Sequence, residues 1–419
     1  MTQPISMQHA TVDVQHTTCC IVGAGPAGAV LALLLARQGV PVTLLEAHHT
    51  FDRDFRGDTV HPAILELLDE IGVAERVLHK PHRKVYSGAL PSAGGPSARV
   101  DFRRLRTRFP YIAMMRQADF LDAIIAEARR YDTFHLVMGA TVQEIIEDDA
   151  QVRGARYRAA DGYHEVRALL TVGADGRFSK LRQLSRLPTA VSTSAPNDLL
   201  WFRLPRRESD GEGMLAHLKG GRVLVMLDRG DEWQLGYVVA KDSFGFLKAE
   251  GIEALQRKIV ELAPDLADRV GGLTDWHQTS YLRVESDRLP RWYRPGLLLI
   301  GDAAHVMLPI GGNGINYAVQ DAAAAANILT EPLRTGQLAT RHLAAVQRRR
   351  EWPTRVTQAI VGRIQQQVFD LAARSDTPPL PLRILRYSPP LRDMVAHYLA
   401  FGLGSVHLRP SLRSSAGAG

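Results

Sequence analysis

Cysteine is nearly missing from this chain: there are two in 419 residues, the adjacent Cys19 and Cys20. Neighbours on a strand point to opposite faces, so a metal-holding pair or a structural disulfide is disfavoured and both read as core filler. A large excess of one charge is lacking too. The formal net charge of +7 is moderate, its arginines are spread along the chain with short clusters at 103–108 and 348–350, and no aromatic–basic interleaving accompanies them. That argues against a nucleic-acid partner and leaves a general preference for anionic ligands. Internal repeats and long low-complexity linkers are absent. One uncharged stretch, residues 19–36, has the length of a membrane span. Its glycines and proline do not suit a span, and the positive flank of a secretory signal is missing. The expectation is a cytoplasmic protein with no obligate membrane contact, long enough at 419 residues to divide into two or more domains.

Glycine marks three short stretches far apart. Residues 23–28 read Gly-Ala-Gly-Pro-Ala-Gly, residues 173–182 begin Gly-Ala-Asp-Gly-Arg-Phe-Ser, and residues 301–316 run from Gly-Asp-Ala-Ala-His to Gly-Gly-Asn-Gly-Ile-Asn. The first follows a β-prone run (17–22) and opens an apolar helix (29–37). Gly23 permits the tight turn, Gly25 lets backbone approach a pyrophosphate, Ala27 keeps the turn small, and Gly28 lets the helix pack close to the sheet. A second strand (40–45) ends at Glu46, 18 residues beyond Gly28, placed to accept hydrogen bonds from a ribose diol. The first stretch alone says dinucleotide. All three, in this order, say FAD, with its reactive ring facing a second domain. In the third stretch Pro309 stiffens the loop, while Gly311, Gly312 and Gly314 remove side chains where a flat ring must touch backbone. Ile315 and Asn316 then open a helix (317–329) whose positive N-terminus favours the reduced, anionic flavin.

The remaining pattern gives an α/β fold class: a Rossmann-like FAD-binding domain, an inserted antiparallel-sheet substrate domain and a C-terminal helical segment. Expected boundaries are 15–80, 111–189 and 290–330 for the first, 81–110 and 190–289 for the second, and 331–419 for the third. Residues 1–14 read as a disordered tail. Strand candidates are 134–138, 140–147, 152–159, 169–172, 199–204, 222–227, 233–239 and 297–300; helices are expected at 63–71, 119–130, 252–262 and 340–373. Trp201, Arg203, His217, Met226, Gln234 and Tyr237 are candidates to line a substrate pocket. The apolar stretch 378–410 is core by default, with pocket capping, a homodimer contact and a membrane-surface contact left open.

The three motifs resemble those of the single-component FAD-dependent aromatic hydroxylases typified by para-hydroxybenzoate hydroxylase, over about residues 17–330. The resemblance implies that Gly301 and Asp302 serve the ribityl chain, that Asp175 and Gly176 lie near the pyrophosphate, and that Arg182 braces that segment. Arg56 aligns with a family arginine reaching the phosphate or ribose region. Arg116 stands where the family places a ribityl contact. His61 either points into the active site or anchors the turn before Pro62, and His305 orders the Gly-Asp turn. Pro309, Gly311, Gly312 and His61 are the residues expected beside the reacting ring. No metal is implied. The family activity is monooxygenation: NAD(P)H reduces FAD, O2 forms a flavin hydroperoxide, and one oxygen enters an electron-rich, aromatic or polyketide-like small molecule. A reductase or dehydrogenase of the same fold, acting without oxygen transfer, is the alternative. The tryptophan motif of flavin-dependent halogenases is not present.

Overall fold

A computed structural model describes residues 13–52, 58–89, 99–374, 384–385 and 387–413. The first strand, Asp13–Val22, begins four residues earlier than its β-prone run, because Asp13 and Val14 pair with His164 and Glu165. It is flanked in parallel by Val42–Glu46 and Gly162–Gly173, and beyond these by Phe134–Met138 and Leu297–Leu299. Tyr293–Arg294 closes one edge antiparallel. The first half of Gly162–Gly173 stays parallel to the first strand on one side and pairs antiparallel on the other with Gln151–Ala159, which continues to Thr141–Asp148 as a meander. That half was illegible as strand because its mixed polar sequence has one face in solvent.

The apparent membrane span is a strand, a turn and an 11-residue helix, Pro26–Ala36, in which every residue from Ala27 onward is buried. A helix that is apolar all round must be covered all round. Here the parallel sheet lies on one side and the helix Asn313–Arg334 on the other, within one large core. Among the described residues no helix is long and apolar enough to cross a membrane. Cys19 faces this core and Cys20 the opposite one beneath the meander; both are free. Burial pushes the Cys20 thiol up to about 12, so neither reads as reactive.

A seven-stranded sheet stands apart from the parallel one. Its order is Ser280–Leu282, Asn197–Pro205, Glu232–Ala240, Arg222–Asp228, Met214–Lys219, Ser87–Ala89 and Arg99–Asp101. Pairing is antiparallel except between Met214–Lys219 and Ser87–Ala89, which run parallel. The helix Ile252–Leu262 lays Leu255, Ile259 and Leu262 on one face of this sheet. The helices Gln117–Ala128 and Thr340–Arg374 match their expected places within two residues. A helix at Pro389–Phe401, in the apolar stretch whose role was open, packs Ala396, Ala400 and Phe401 against Ala63, Phe102, Ile112 and Met114. It is core.

The flavin loop, its anchors and the facing sheet

The turn after the first strand is tight because three backbones meet there. A Cβ on Gly23 would stand 2.5 Å from the Ala174 carbonyl oxygen, and one on Gly28 would stand 1.9 Å from the Gly23 oxygen. The first and second glycine-marked stretches therefore touch, although 150 residues separate them. Gly301 closes the group, its Cβ position lying 3.2 Å from the Ala27 side chain. Glu46, buried at the end of its strand, accepts the Ala24 N–H at 2.8 Å and the His48 N–H at 3.1 Å. Asp175 is turned into its own loop, accepting from the Ser179 hydroxyl and the Leu181 N–H. Burial raises its pKa against those hydrogen bonds. Gly176 adopts φ +83° in the same loop. Arg182 pairs with Asp287, which also accepts the Val306 N–H, so the second stretch is tied through the strand Glu285–Arg288 to the third. Arg116 caps the helix Gln117–Ala128 by position and pairs with the exposed Asp52. Arg56 lies outside the described residues.

Asp302 is half-buried in a short 3-10 turn, Gly301–Ala303. Beneath that turn lies a charge network of which the sequence points only to His305. Asp321, fully buried on the helix Asn313–Arg334, accepts from the Gly301 N–H (3.0 Å), from His305 Nε2 (2.6 Å) and from Arg350 Nε (2.8 Å). Arg350 is itself fully buried, lies over the Tyr317 ring and donates to Gln320. The His305 ring rests against Trp292. Burial alone would raise the Asp321 pKa; His305 and Arg350 outweigh it and hold the carboxyl below its ordinary range. A lone acid opening the alanine run 322–326 was the signal in the sequence.

The third stretch turns sharply, with Gly311 at φ +75° and Gly312 at φ +66°. Two consecutive left-handed residues are costly for anything but glycine. The helix starts at Asn313, four residues earlier than expected, because the glycine turn is complete there and Gly314 lies in the first turn, where glycine costs little. The N-cap Gly312 offers no side chain to the helix's first N–H groups, and the same holds at Gly25 before Pro26–Ala36. Cβ atoms at Gly25 and Gly314 would point into open space. Uncapped donors at two helix ends, with room beside each, suit an anionic dinucleotide and the electron-rich edge of a flavin. The residues present therefore fit FAD. Ile315 is buried, and the Asn316 side chain turns inward to Gln320, so these two offer backbone to a ring.

The C-terminal helix and the helix Pro62–Asp69 support this loop. Leu399 lies beside Gly311, while Thr59 donates to the Gly312 carbonyl at 3.2 Å. His61, wholly buried, donates from Nδ1 to the Leu399 carbonyl at 2.6 Å and touches Gly312 with its other edge. Burial lowers its pKa to about 4 despite these carbonyls, so it is neutral at neutral pH.

Strand register divides the six pocket candidates. Arg203 pairs across with Gln234, and Trp201 with Gly236, whose absent side chain leaves room for the indole. Trp201 and Leu199 pack with Leu308, the residue before Pro309, so this face looks toward the flavin loop. His217, Met226 and Tyr237 lie on the opposite face: Met226 and Tyr237 pack under the helix Ile252–Leu262, and His217 shares their row opposite Leu224. These three do not lie on the face that looks toward the flavin loop. Asp58, one residue before Thr59, adds a charge at the face that carries Arg203 and Gln234. Its carboxylate lies 3.3 Å from Arg229 Nη1, with Gln234 and the Gln117 N–H beside it. Burial pushes its pKa up, against Arg229, Gln234 and Arg203.

A family model described as FAD binding domain matches residues 16–360. The chain is 32% identical over 403 residues to a 6-methylpretetramide 4-monooxygenase of Streptomyces rimosus, covering 96% of both chains. It is 29% identical over 335 residues to a protoasukamycin 4-monooxygenase of Streptomyces nodosus subsp. asukaensis, covering 77% of this chain and 81% of that one. Among solved structures, an anhydrotetracycline hydroxylase of Streptomyces rimosus aligns with TM-score 0.73 and 23% identity, covering 92% of this chain and 76% of that one. A flavin-dependent brominase aligns with TM-score 0.76 and 18% identity over 92% and 94%, so the fold by itself does not choose the chemistry. With the glycine turns, the anchored Gly-Asp turn and these relatives together, the chain belongs to the FAD-binding-domain family and is an FAD-dependent monooxygenase reduced by NAD(P)H.

Proposed function

We propose that this enzyme hydroxylates a polycyclic aromatic, polyketide-type phenol at a ring carbon. The observation that carries this reading is the end-to-end likeness to the 6-methylpretetramide 4-monooxygenase. The broad apolar face of Leu199, Trp201 and Val238 opposite the flavin loop suits a flat fused-ring substrate. When bound, FAD takes hydride from NAD(P)H and delivers one atom of O2 to the substrate, the other leaving as water.

The chain's own groups do the positioning. Gly25, Ala27 and Glu46 would hold the adenosine end, and Asp302 with the Gly301 turn the ribityl chain. Pro309, Gly311, Gly312 and the N–H groups at Gly314, Ile315 and Asn316 would border the ring. His61, Thr59 and Leu399 fix that loop, while Trp201 and Leu308 exclude water from the reacting face. The seven-stranded sheet with its covering helix would be the substrate-binding unit (81–110 and 190–289). The parallel sheet with its helices would be the FAD-binding unit (15–80, 111–189 and 290–330). The test is anaerobic reduction of the flavin, admission of O2, and mass analysis of a 6-methylpretetramide-type substrate. A product one oxygen heavier, formed against NAD(P)H consumed, is expected. Reoxidation with the substrate unaltered, or a substrate reduced without O2, would remove the proposal.

A further inference from the structure

On that monooxygenase reading, we infer that Asp58, Arg229 and Gln234 form an ionising clamp for a substrate hydroxyl, in which Asp58 takes the phenolic proton and Arg229 holds the resulting oxyanion. The three come from different parts of the chain and converge where the seven-stranded sheet meets the flavin loop. Asp58 leads into Thr59, whose hydroxyl donates to the Gly312 carbonyl; Gln234 lies on the sheet face shared with Trp201 and Arg203. Arg229 follows the strand Arg222–Asp228.

The observation that points to a ligand is the state of their polar atoms. The side chains of Asp58 and Arg229 are 9% and 8% exposed, and Gln234 is 2% exposed. Within this buried group, Gln234 Oε1 accepts no hydrogen bond, and Arg229 Nη1, though 3.3 Å from Asp58, donates none. Leaving a buried acceptor and a buried cationic donor unmatched is costly, and such pairs persist where a ligand completes them. An idle acceptor beside an idle cationic donor suits a group presenting one O–H and one anionic oxygen. A phenol next to a second hydroxyl or an enolisable ketone has that form.

The transfer balances. The substrate O–H bond breaks, a new O–H bond forms on the Asp58 carboxylate, and the negative charge moves to the substrate oxygen beside Arg229. A phenolate ring is more electron-rich than a phenol and more readily attacked by an electrophilic oxygen. The charged groups acting on Asp58 are Arg229 and Arg203, both favouring its carboxylate; burial opposes them and makes it a stronger base than a solvated acid.

The test uses the FAD-loaded enzyme with 6-methylpretetramide as probe, whose ionisation is followed by absorbance. Bound to the wild type, the probe should ionise about one to three pH units below its value in water. Asp58→Asn and Arg229→Met should each return that ionisation toward the free value and cut kcat/KM by about 10²–10⁴-fold with FAD content kept. The acid limb of the wild-type kcat/KM profile should vanish in Asp58→Asn. A wild-type probe that titrates as it does in water overturns the clamp, and this reading needs no variant to fold. Hydroxylation by both variants at wild-type rates also overturns it while leaving the monooxygenase reading intact. A wild type that neither binds nor oxidises the probe removes the substrate reading and the clamp with it.

Discussion

Asp321→Asn isolates the buried charge network under the Gly-Asp turn. The amide keeps the size of the carboxylate but has one acceptor oxygen where the carboxylate has two, so the fully buried Arg350 loses its anion and either it or the His305–Gly301 pair meets an NH2 group in place of an acceptor. Breaking one side of a buried pair costs about 3–5 kcal/mol. At 1.4 kcal/mol per tenfold, that is a shift of roughly two to three and a half decades in the unfolding equilibrium. Urea titration by tryptophan fluorescence, with flavin release read in parallel, gives both the midpoint shift and its slope. The pH dependence supplies a second check. Because the native Asp321 carboxyl is held below its ordinary value, its contribution is fully present above about pH 3.9 and is lost as pH falls through the lower native value. The gap between wild type and variant should therefore narrow in acid. Asp321→Asn combined with Arg350→Met should recover much of the loss, since no charge is then stranded. A single variant within about 1 kcal/mol of wild type at neutral pH, or a gap unchanged in acid, would refute the assignment.

Three further outcomes follow from other parts of the site. Asp302→Ala should yield folded protein with FAD largely lost, read as the flavin-to-protein absorbance ratio; full occupancy would contradict the ribityl role. Gly25→Ala and Gly28→Ala should separate cofactor binding from folding. The first, whose Cβ enters open space, should weaken FAD about tenfold or more at unchanged apoprotein stability, while the second, aimed at the Gly23 carbonyl, should lower stability by about 1–3 kcal/mol. Equal behaviour of the two would remove that distinction. Gly236→Val drives a side chain toward the Trp201 ring, 3.0 Å from where even a Cβ would stand. It should raise KM for fused-ring substrates far more than it changes FAD affinity, and unchanged steady-state kinetics would show that the indole does not border the substrate.

Much of the nucleotide half could be read directly from the sequence, because its determinants are local. Gly23, Gly25 and Gly28 sit within one turn, and a strand, a turn and a helix are each a few residues long. The 35-residue helix Thr340–Arg374 was equally plain from its periodicity. What escaped depends on the third dimension. His217, Met226 and Tyr237 looked like Trp201 and Gln234 in composition, and only the register, together with the helix Ile252–Leu262, assigns them to the other face. The strand Met214–Lys219 carries too even a mix of polar and apolar residues to show its period. Asp58 and Arg229, like Asp321 and Arg350, are ordinary charged residues until folding removes the water around them.

The contact between Leu399 and the glycine loop also bears on the order in which the enzyme matures. The loop's shape relies on a carbonyl and a side chain from Pro389–Phe401, and Gln320 on the following helix donates to the Phe401 carbonyl. On the ribosome, where earlier segments emerge and fold first, the glycine turn at 23–28 is exposed hundreds of residues before the piece that braces the ring's resting place. Nascent chains would thus gain a grip on the adenosine end long before they can seat the ring, whose resting place is complete only once residues 389–401 have emerged and packed against the loop.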